Sequence, residues 1–432
     1  MRTVWLRDFF SRWMVLVFIA WRNIWRNQVR SLLTVSALAG SLVIVILYSA
    51  LLEGMTRQMA QFATEISTGD LQIHRKEFRD DQDLYATIPV SYLDKLEKRF
   101  PTLNFSPRMY AAALASSGEI STGVSIKAVD PVREPQVTNI LQHIREGSLN
   151  LAMDASGYFN VLLGAQLAKS MAVVPGSEMI LVTQAADGSI GNALFRVAGI
   201  IKPVEPNFDR MGVLMSIDAY QQLMVMQPGF HELVVKVGDS HSLMVAQQQI
   251  NAAIAALSLA DPAHAETDLL VETWRQLTPA VADMLDLSKV MVWIVGAIVV
   301  SLASLGMLNT MLMAVYERSH EFGILLAIGM KARVLMVMVL LESLFLASIA
   351  TLVGVVIGSG LATYLQTHGI DFSSSMPDGY DWGGMVFEPV MRGHLEFSQV
   401  VIASVLMLVI AMLSSLLPVW RAIRLKPAQD IR

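Results

Sequence analysis

Acid–base or metal chemistry needs carboxylates and histidines held at short, repeated spacings. The 432-residue chain carries 37 Asp+Glu, 8 His and no Cys, without such an arrangement. Neither Gly-x-Ser-x-Gly nor His-Glu-x-x-His occurs, and there is no Gly-x-x-x-x-Gly-Lys-Ser/Thr loop to cradle nucleotide phosphates. His74 and the His231-Glu232 pair read as strand decoration rather than metal ligands. Asp80, Asp81 and Asp83 belong to a charged run, 75–83, that reads as a solvated loop. Glu342 is the single ionisable residue inside a predicted membrane helix, which makes it a functional candidate. It lies nine residues past Arg333, near one end of that helix, and anchoring through Lys331 or Arg333 is the simpler expectation. The chain is therefore expected to be non-catalytic and to bind no metal or cofactor of its own.

The elements around these residues explain the scarcity of charge. The chain is 54% hydrophobic and only 16% charged, against about 25% charged for an ordinary soluble domain. The deficit is concentrated in four uncharged runs, 31–52, 290–316, 343–367 and 397–420, each long enough to cross about 30 Å of hydrocarbon. The third helix is expected to start near 334. The first 30 residues place Trp5, Phe9, Trp13, Leu16 and Ala20 at helical spacing among Arg2, Arg7, Arg12 and Arg22, the pattern of a basic amphipathic helix lying in the membrane interface. A signal peptide is the rival reading. Trp-Arg-Asn-Ile-Trp-Arg-Asn stands where its small-residue cleavage site should be.

Lysine and arginine cluster before the first span, between the second and third (317–333), and after the fourth (421–432). The loop at 368–396 has Arg392 alone against five acidic residues. By the positive-inside rule both termini and the 317–333 connection are cytoplasmic, while 53–289 and 368–396 face outward. The 53–289 segment carries a formal net charge of −9 within a chain of −5, so nucleic acid is not an expected partner. Strands are predicted at 70–74, 109–115, 124–129, 179–183, 194–201, 212–216, 233–237 and 269–272. Helices are predicted at 92–100, 161–171, 217–224 and 242–257, giving an α+β exported domain. Asp187-Gly188 is a hairpin signal.

Two apolar seams run from this domain into the membrane. Leu51, Met55, Met59, Phe62 and Ile66 step by three or four after the first span, and Trp274, Leu277, Val281 and Met284 do so before the second. They predict two stalk helices packed on each other, with Pro279 kinking the second. Ser36-x-x-x-Gly40 and Gly354-x-x-x-Gly358 permit close helix approach, either within the chain or across a dimer.

The connection Tyr316-Glu-Arg-Ser-His-Glu-Phe-Gly-Ile-Leu-Leu-Ala-Ile-Gly-Met-Lys-Ala-Arg333 closely resembles the signature of the FtsX/MacB/LolC superfamily of ABC-transporter permeases. Pro418-Val-Trp-Arg-Ala-Ile-Arg-Leu-Lys-Pro427 resembles its ending, and Ala20–Asn27 with Arg30–Thr34 resembles its start. The layout of one span, a large exported domain and three further spans agrees. The resemblance implies a four-helix membrane protein with a large periplasmic α+β domain in the inner membrane: a porter-like module (64–130 and 212–272) with an inserted β-rich subdomain (147–211). It implies that Glu317, Arg318, Glu321, Gly323 and Gly329 couple the chain to a separate cytoplasmic ATPase dimer, which binds ATP and Mg. It implies a second permease copy or a homologous permease, and stalks that transmit ATP-driven closure outward, a mechanotransmission cycle. The unfused ATPase and the Ser67–His74 strand look most like lipoprotein-releasing permeases, with lipoprotein or other lipidic cargo and a periplasmic carrier or adaptor. The hairpin 184–192 is short and lacks the proline of the hook that recruits such a carrier. An efflux permease of MacB type and an FtsX-like scaffold activating a cell-wall hydrolase are the alternatives. Phe372, Met376, Tyr380, Trp382, Met385 and Phe387 make 366–396 either a membrane-surface gate for acylated cargo or a cap on the helices.

Overall fold

The structure, a computed structural model, describes residues 2–423 except 82, 204, 227, 239–241, 261–267, 377–379, 383–384 and 388. Arg424, Lys426, Pro427 and Arg432 lie outside the described residues, as do the side chains of Trp5, Phe9, Trp13, Tyr380, Trp382, Met385 and Phe387. The chain divides into two compact units. One comprises Met1–Thr56, Asp286–Asp371 and Val390–Arg432; the other comprises Arg57–Leu285 and Phe372–Pro389.

The first unit is helical. Helix Arg2–Arg26 turns at Asn27 into the first spanning helix, Gln28–Gln61. The second, third and fourth spanning helices are Pro279–Glu317, Ala332–His368 and Phe397–Ile423. Among the described residues these four are long and apolar enough to cross a membrane. At 39 residues the second is about 58 Å long, nearly twice the ~30 Å hydrocarbon core. Their buried seam joins Leu38, Leu42 and Ile46 to Val300, Met307, Leu346, Ala350, Met407 and Ala411.

Small residues set the closest approaches in this unit. A Cβ added at Gly354 would stand 3.0 Å from Leu42 Cβ, and one at Gly358 would stand 3.0 Å from Ile46 Cδ1. That pair therefore packs the third helix on the first within the chain. Around Gly40 an added Cβ meets nothing within 4 Å, and Ser36 is exposed. Gly54 is a close approach that its spacing did not announce. A Cβ there would overlap the Arg392 carbonyl oxygen, and one turn earlier the Ala50 carbonyl accepts a hydrogen bond from His394 N at 2.7 Å.

The second unit is α+β. Its strands are β1 (Leu71–Arg75), β2 (Asn104–Ser117), β3 (Ile120–Val129), β4 (Ile144–Gly147), β5 (Phe159–Gly164), β6 (Glu178–Gln184), β7 (Ile190–Ile201), β8 (Gly212–Ser216), β9 (Glu232–Lys236) and β10 (Leu269–Thr273). They form one sheet in the order β10-β1-β9-β2-β3-β8-β5-β7-β4, with β6 bridging β2 and β7. The strands of 147–211 enter this ladder through Leu162↔Leu214 and Leu114↔Val182. They share its core too: Val161, Phe195 and Val197 cluster with Ile73, Met109 and Val235. Helices Val90–Arg99, Ile217–Met224 and Leu243–Ala260 contribute Tyr92, Tyr220 and Ile250 to the same cluster.

Three predicted elements are corrected. The charged run 75–83, expected as a solvated loop, contains the end of β1 and a short helix over Lys76–Asp81. The helix expected over 161–171 is strand to Gly164 and helical only over Ala165–Ser170. Phe-Asn-Val-Leu-Leu is too short an apolar run for its period to separate buried strand from helix. Pro279 does not kink a continuous second stalk. Trp274–Leu277 is a separate short helix with a capping box at Thr273 and Gln276, and Pro279 opens the long helix. A proline suits the first helical position and pushes the residue before it out of the α region; Thr278 has φ −123° and ψ 67°.

The stalk seams meet within this unit. Met59 and Leu285 are buried together, flanked by Phe62, Trp274, Val281 and Met284. Ile66 leaves that seam and packs with Ile140 and Leu141 instead. The first helix widens to a π-helix over Phe62–Ser67, and the longer turn rotates Ile66 away from the 3.6-residue stripe. The hairpin between β6 and β7 turns at Asp187-Gly188, where Gly188 has φ +83° and Asp187 Oδ1 accepts from Ser189 N at 2.9 Å. It lies back on helix Ile217–Met224: Ala186 N donates to Met224 O at 2.8 Å, and a Cβ at Gly191 would stand 2.4 Å from Leu223 O.

Candidate functional site

The helical unit holds a connected set of ion pairs around the 316–321 segment. Helix Ser319–Ala327 follows the second spanning helix after a break at Arg318. Arg26 forks onto Glu321, donating from Nη2 to Oε1 at 2.5 Å and from Nη1 to Oε2 at 3.1 Å. Arg30 Nη2 donates to Glu317 Oε1 at 2.5 Å. Arg318 Nε donates to Glu321 Oε2 at 3.2 Å, its Nη1 reaches Glu342 Oε2 at 3.2 Å, and its guanidinium lies over the Phe322 ring at 5.1 Å. Arg421 Nη1 donates to the Tyr316 hydroxyl at 3.0 Å. The hydrogen bond from Arg26 holds the Glu321 carboxyl below its usual pKa. Tyr316, Glu317, Arg318 and Glu321 thus each fasten the segment to a different partner: the fourth helix, the start of the first, the third, and helix Arg2–Arg26.

This arrangement changes two expectations. Glu342 pairs with Arg318, not with Lys331 or Arg333. Both of those are exposed and lie at or beyond the start of the third helix, more than two turns before Glu342. Of the two glycines expected to allow close approach, Gly323 is buried, but Gly329 has open space around it and φ +101°. Gly329 ends the helix: its N–H bonds Leu326 O at 3.1 Å and Met330 N bonds Leu325 O at 3.0 Å, a glycine C-terminal stop. At its far end the segment exposes Ile324, Ile328 (80% exposed), Lys331 and Arg333, and at its start Tyr316, Glu317 and His320 are exposed as well.

A second feature of this unit is an apolar cleft between the first, second and fourth spanning helices. Val45, Leu52, Val292, Trp293, Ala403 and Leu406 line it, and Glu53, Lys289 and Gln399 form its polar rim. Gln399 Nε2 donates to Glu53 Oε2 at 3.0 Å.

The α+β unit holds a buried ion pair that no sequence pattern announced. Arg108 on β2 and Glu134 in the turn Glu134–Gln136 are both 0% exposed. Arg108 Nη2 donates to Glu134 Oε1 at 2.5 Å, and Ser106 and Thr138 hydroxyls donate to the same carboxylate at 2.7 and 2.6 Å. Arg108 Nη1 donates to Ser67 O at 2.6 Å, which ties the end of the first stalk to the sheet. Burial opposes ionisation of Glu134, but the Arg108 charge and hydrogen bonds prevail and lower its pKa to about 2. Lys127 alongside is pushed down to about 8, by burial first and then by the Arg108 charge.

His231 Nδ1 accepts from Tyr110 N at 2.9 Å while Nε2 faces Leu84 O at 2.8 Å, and burial lowers its pKa. His74 lies 3.2 Å from Glu272. Among the described residues no group of three or more His, Asp or Glu is placed to hold a metal ion.

Comparison with known proteins matches both units. The family profile of the MacB-like periplasmic core domain matches residues 31–253, over half of the chain, and that of the FtsX-like permease C-terminal region matches residues 293–427. The lipoprotein-releasing system transmembrane protein LolC of Xylella fastidiosa is 23% identical over 321 residues, covering 73% of this chain and 74% of that protein. The macrolide export ATP-binding/permease protein MacB of Agrobacterium fabrum is 22% identical over 426 residues, covering 94% of this chain and 59% of that protein. The crystal structure of the periplasmic region of MacB from Actinobacillus actinomycetemcomitans aligns with 50% of this chain and 94% of its own, at 13% identity and a TM-score of 0.37. The profiles follow one another along the sequence in the order of the four spans and the inserted α+β segment, and the chain belongs to the FtsX/MacB/LolC family of ABC-transporter permeases.

Proposed function

We propose that this chain is the non-catalytic permease subunit of an ATP-driven transporter that extracts lipoprotein or other acylated, amphiphilic cargo from the outer leaflet of the inner membrane. The apolar cleft with its Glu53, Lys289 and Gln399 rim carries this reading. Its walls match acyl chains, and its rim matches the polar group to which such chains are attached. Similarity to lipoprotein-releasing LolC proteins over nearly three quarters of the chain supports the same cargo class. ATP and Mg belong to a separate cytoplasmic ATPase dimer, which meets the exposed Ile324, Ile328, Lys331 and Arg333 face. A second permease copy or a homologous permease completes the assembly. Stalk movement, rather than alternating access through a pore, drives release, and cargo passes to a periplasmic carrier or adaptor or directly outward. The β6–β7 hairpin, lying back on its own domain, supplies no projecting hook for a carrier.

Similarity to the macrolide exporter MacB across 94% of the chain supports a second reading, efflux of small amphiphiles. Purification of the chain with its ATPase from native membrane, followed by mass spectrometry, separates the two. Co-purified lipoprotein or acyl lipid is the expected result. Preparations free of both, with an outer-membrane duct or a stoichiometric cell-wall hydrolase in their place, would refute the proposal.

A further inference from the structure

We infer that the charged residues of the Tyr316–Glu321 segment are positioning residues that mount the helix Ser319–Ala327 on the membrane helices, while contact with the ATPase falls to the apolar tip beyond them. The inference deepens the proposed function and rests on it for the identity of the partner. Four separate stretches of sequence meet at the mount: Arg26 and Arg30 near the start, the Tyr316–Glu321 segment, Glu342 on the third spanning helix, and Arg421 near the end of the fourth. The Arg26–Glu321 and Arg30–Glu317 links close loops of 295 and 287 residues.

The geometry divides the labour. Each of these charged side chains has a hydrogen-bonding partner inside the chain, while Arg26, Glu317 and Glu321 keep 58%, 46% and 44% of their side-chain surface exposed. An isolated exposed ion pair would contribute little. Here, however, Glu321 is shared by Arg26 and Arg318, the Arg26 contact is bidentate, and Arg318 and Glu342 are only 16% and 10% exposed at their side chains. Bidentate and charge-assisted hydrogen bonds in a connected network are the cases in which such pairs fix geometry. Among the described residues the opposite end of the same helix carries no such tie. Ile328 stands 80% exposed beside Gly329, the open turn that ends the helix, with Lys331 and Arg333 exposed just after it. A rigid base with an exposed apolar knob is a shape that can pass a push from a partner into the third and fourth helices and into helix Arg2–Arg26. Helix Arg2–Arg26 thereby becomes a moving part of the transporter, not only an interfacial anchor.

The test uses the full chain in lipid nanodiscs, without the ATPase, and reads amide hydrogen exchange over residues 322–330. Arg30→Glu and Glu317→Arg should each speed exchange there by about tenfold or more, and the double variant R30E/E317R should restore protection. Ile328→Asp should leave exchange unchanged but release the ATPase when the two are purified together. Single charge reversals that leave exchange unaltered, or a double variant that fails to restore it, would overturn the mount. Retention of the ATPase by Ile328→Asp would overturn the docking assignment and leave the mount standing.

Discussion

Arg108 and Glu134 show how much one buried pair can organise. Both charges are removed from water, and their desolvation is offset only because Ser106, Thr138 and the Ser67 carbonyl complete the hydrogen bonding around them. Removing one partner strands the other, so Arg108→Met is expected to cost about 3–5 kcal/mol and to lower the melting temperature of the full chain in detergent. The double variant R108M/E134L should cost less than either single change. An Arg108→Met protein that melts like the parent would contradict this role. The pH response follows from the same site. The folded pKa of Glu134 falls from 4.5 to about 2, so its contribution is fully present above the ordinary carboxylate pKa and is lost as pH drops from about 4.5 toward 2. Lys127 runs in the other direction. Its folded pKa is lowered from 10.5 to about 8, so the unfolded chain binds the extra proton, and stability at this site rises as pH climbs from about 8 to about 10. Lys127→Met should flatten that rise in melting curves recorded across the interval. None of this was legible in the sequence. Arg108 and Glu134 are separated by 26 positions and share no motif; only the fold of β2 against the Glu134–Gln136 turn makes them neighbours. The charges at 316–321 were legible as a signature, but their partners were not, because Arg26 and Arg30 read as positive-inside markers.

At the scale of elements, hydrophobic period was a good guide where segments are long and a poor one where they are short. The four spans and the strands β2, β3 and β7 announce themselves by run length or alternation. The Val161–Gly164 run does not, since a handful of apolar residues has no measurable period. The seam steps located the packing of Met59 and Phe62 with Val281 and Met284, but they could not foresee the π-helical turn that redirects Ile66. Small-residue spacing has the same limit: it marks that something approaches closely, not what approaches. Gly354 and Gly358 turn out to receive the first spanning helix, while the Gly40 face has nothing against it. Gly354→Leu should therefore destabilise the helical unit by about 1–3 kcal/mol through overpacking against Leu42, whereas Gly40→Leu should leave monomer stability unchanged. Thermal unfolding of the two variants in detergent checks this; equal losses would mean that both faces pack within the chain.

For the whole molecule, the scarcity of charge resolves into two kinds of surface. The membrane helices account for the apolar excess, and the 53–289 segment carries the acidity, with a formal net charge of −9 in a chain of −5. In the proposed function the energy comes from a partner ATPase, and the mounted helix with its exposed tip is the element through which that partner would act. Cargo class is the point most open to test, because the chain is similar both to a lipoprotein-releasing protein and to a macrolide exporter. The most direct measurement is ATP hydrolysis by the chain reconstituted with its ATPase in nanodiscs, titrated with diacylated or triacylated peptides, with detergent alone, and with a macrolide. Saturable stimulation by the acylated peptides, absent with detergent or macrolide and lost when the cleft is filled at Gly296, which lines it beside Val45, by Gly296→Leu, is the predicted result. Stimulation by the macrolide with no response to acylated peptides would contradict it.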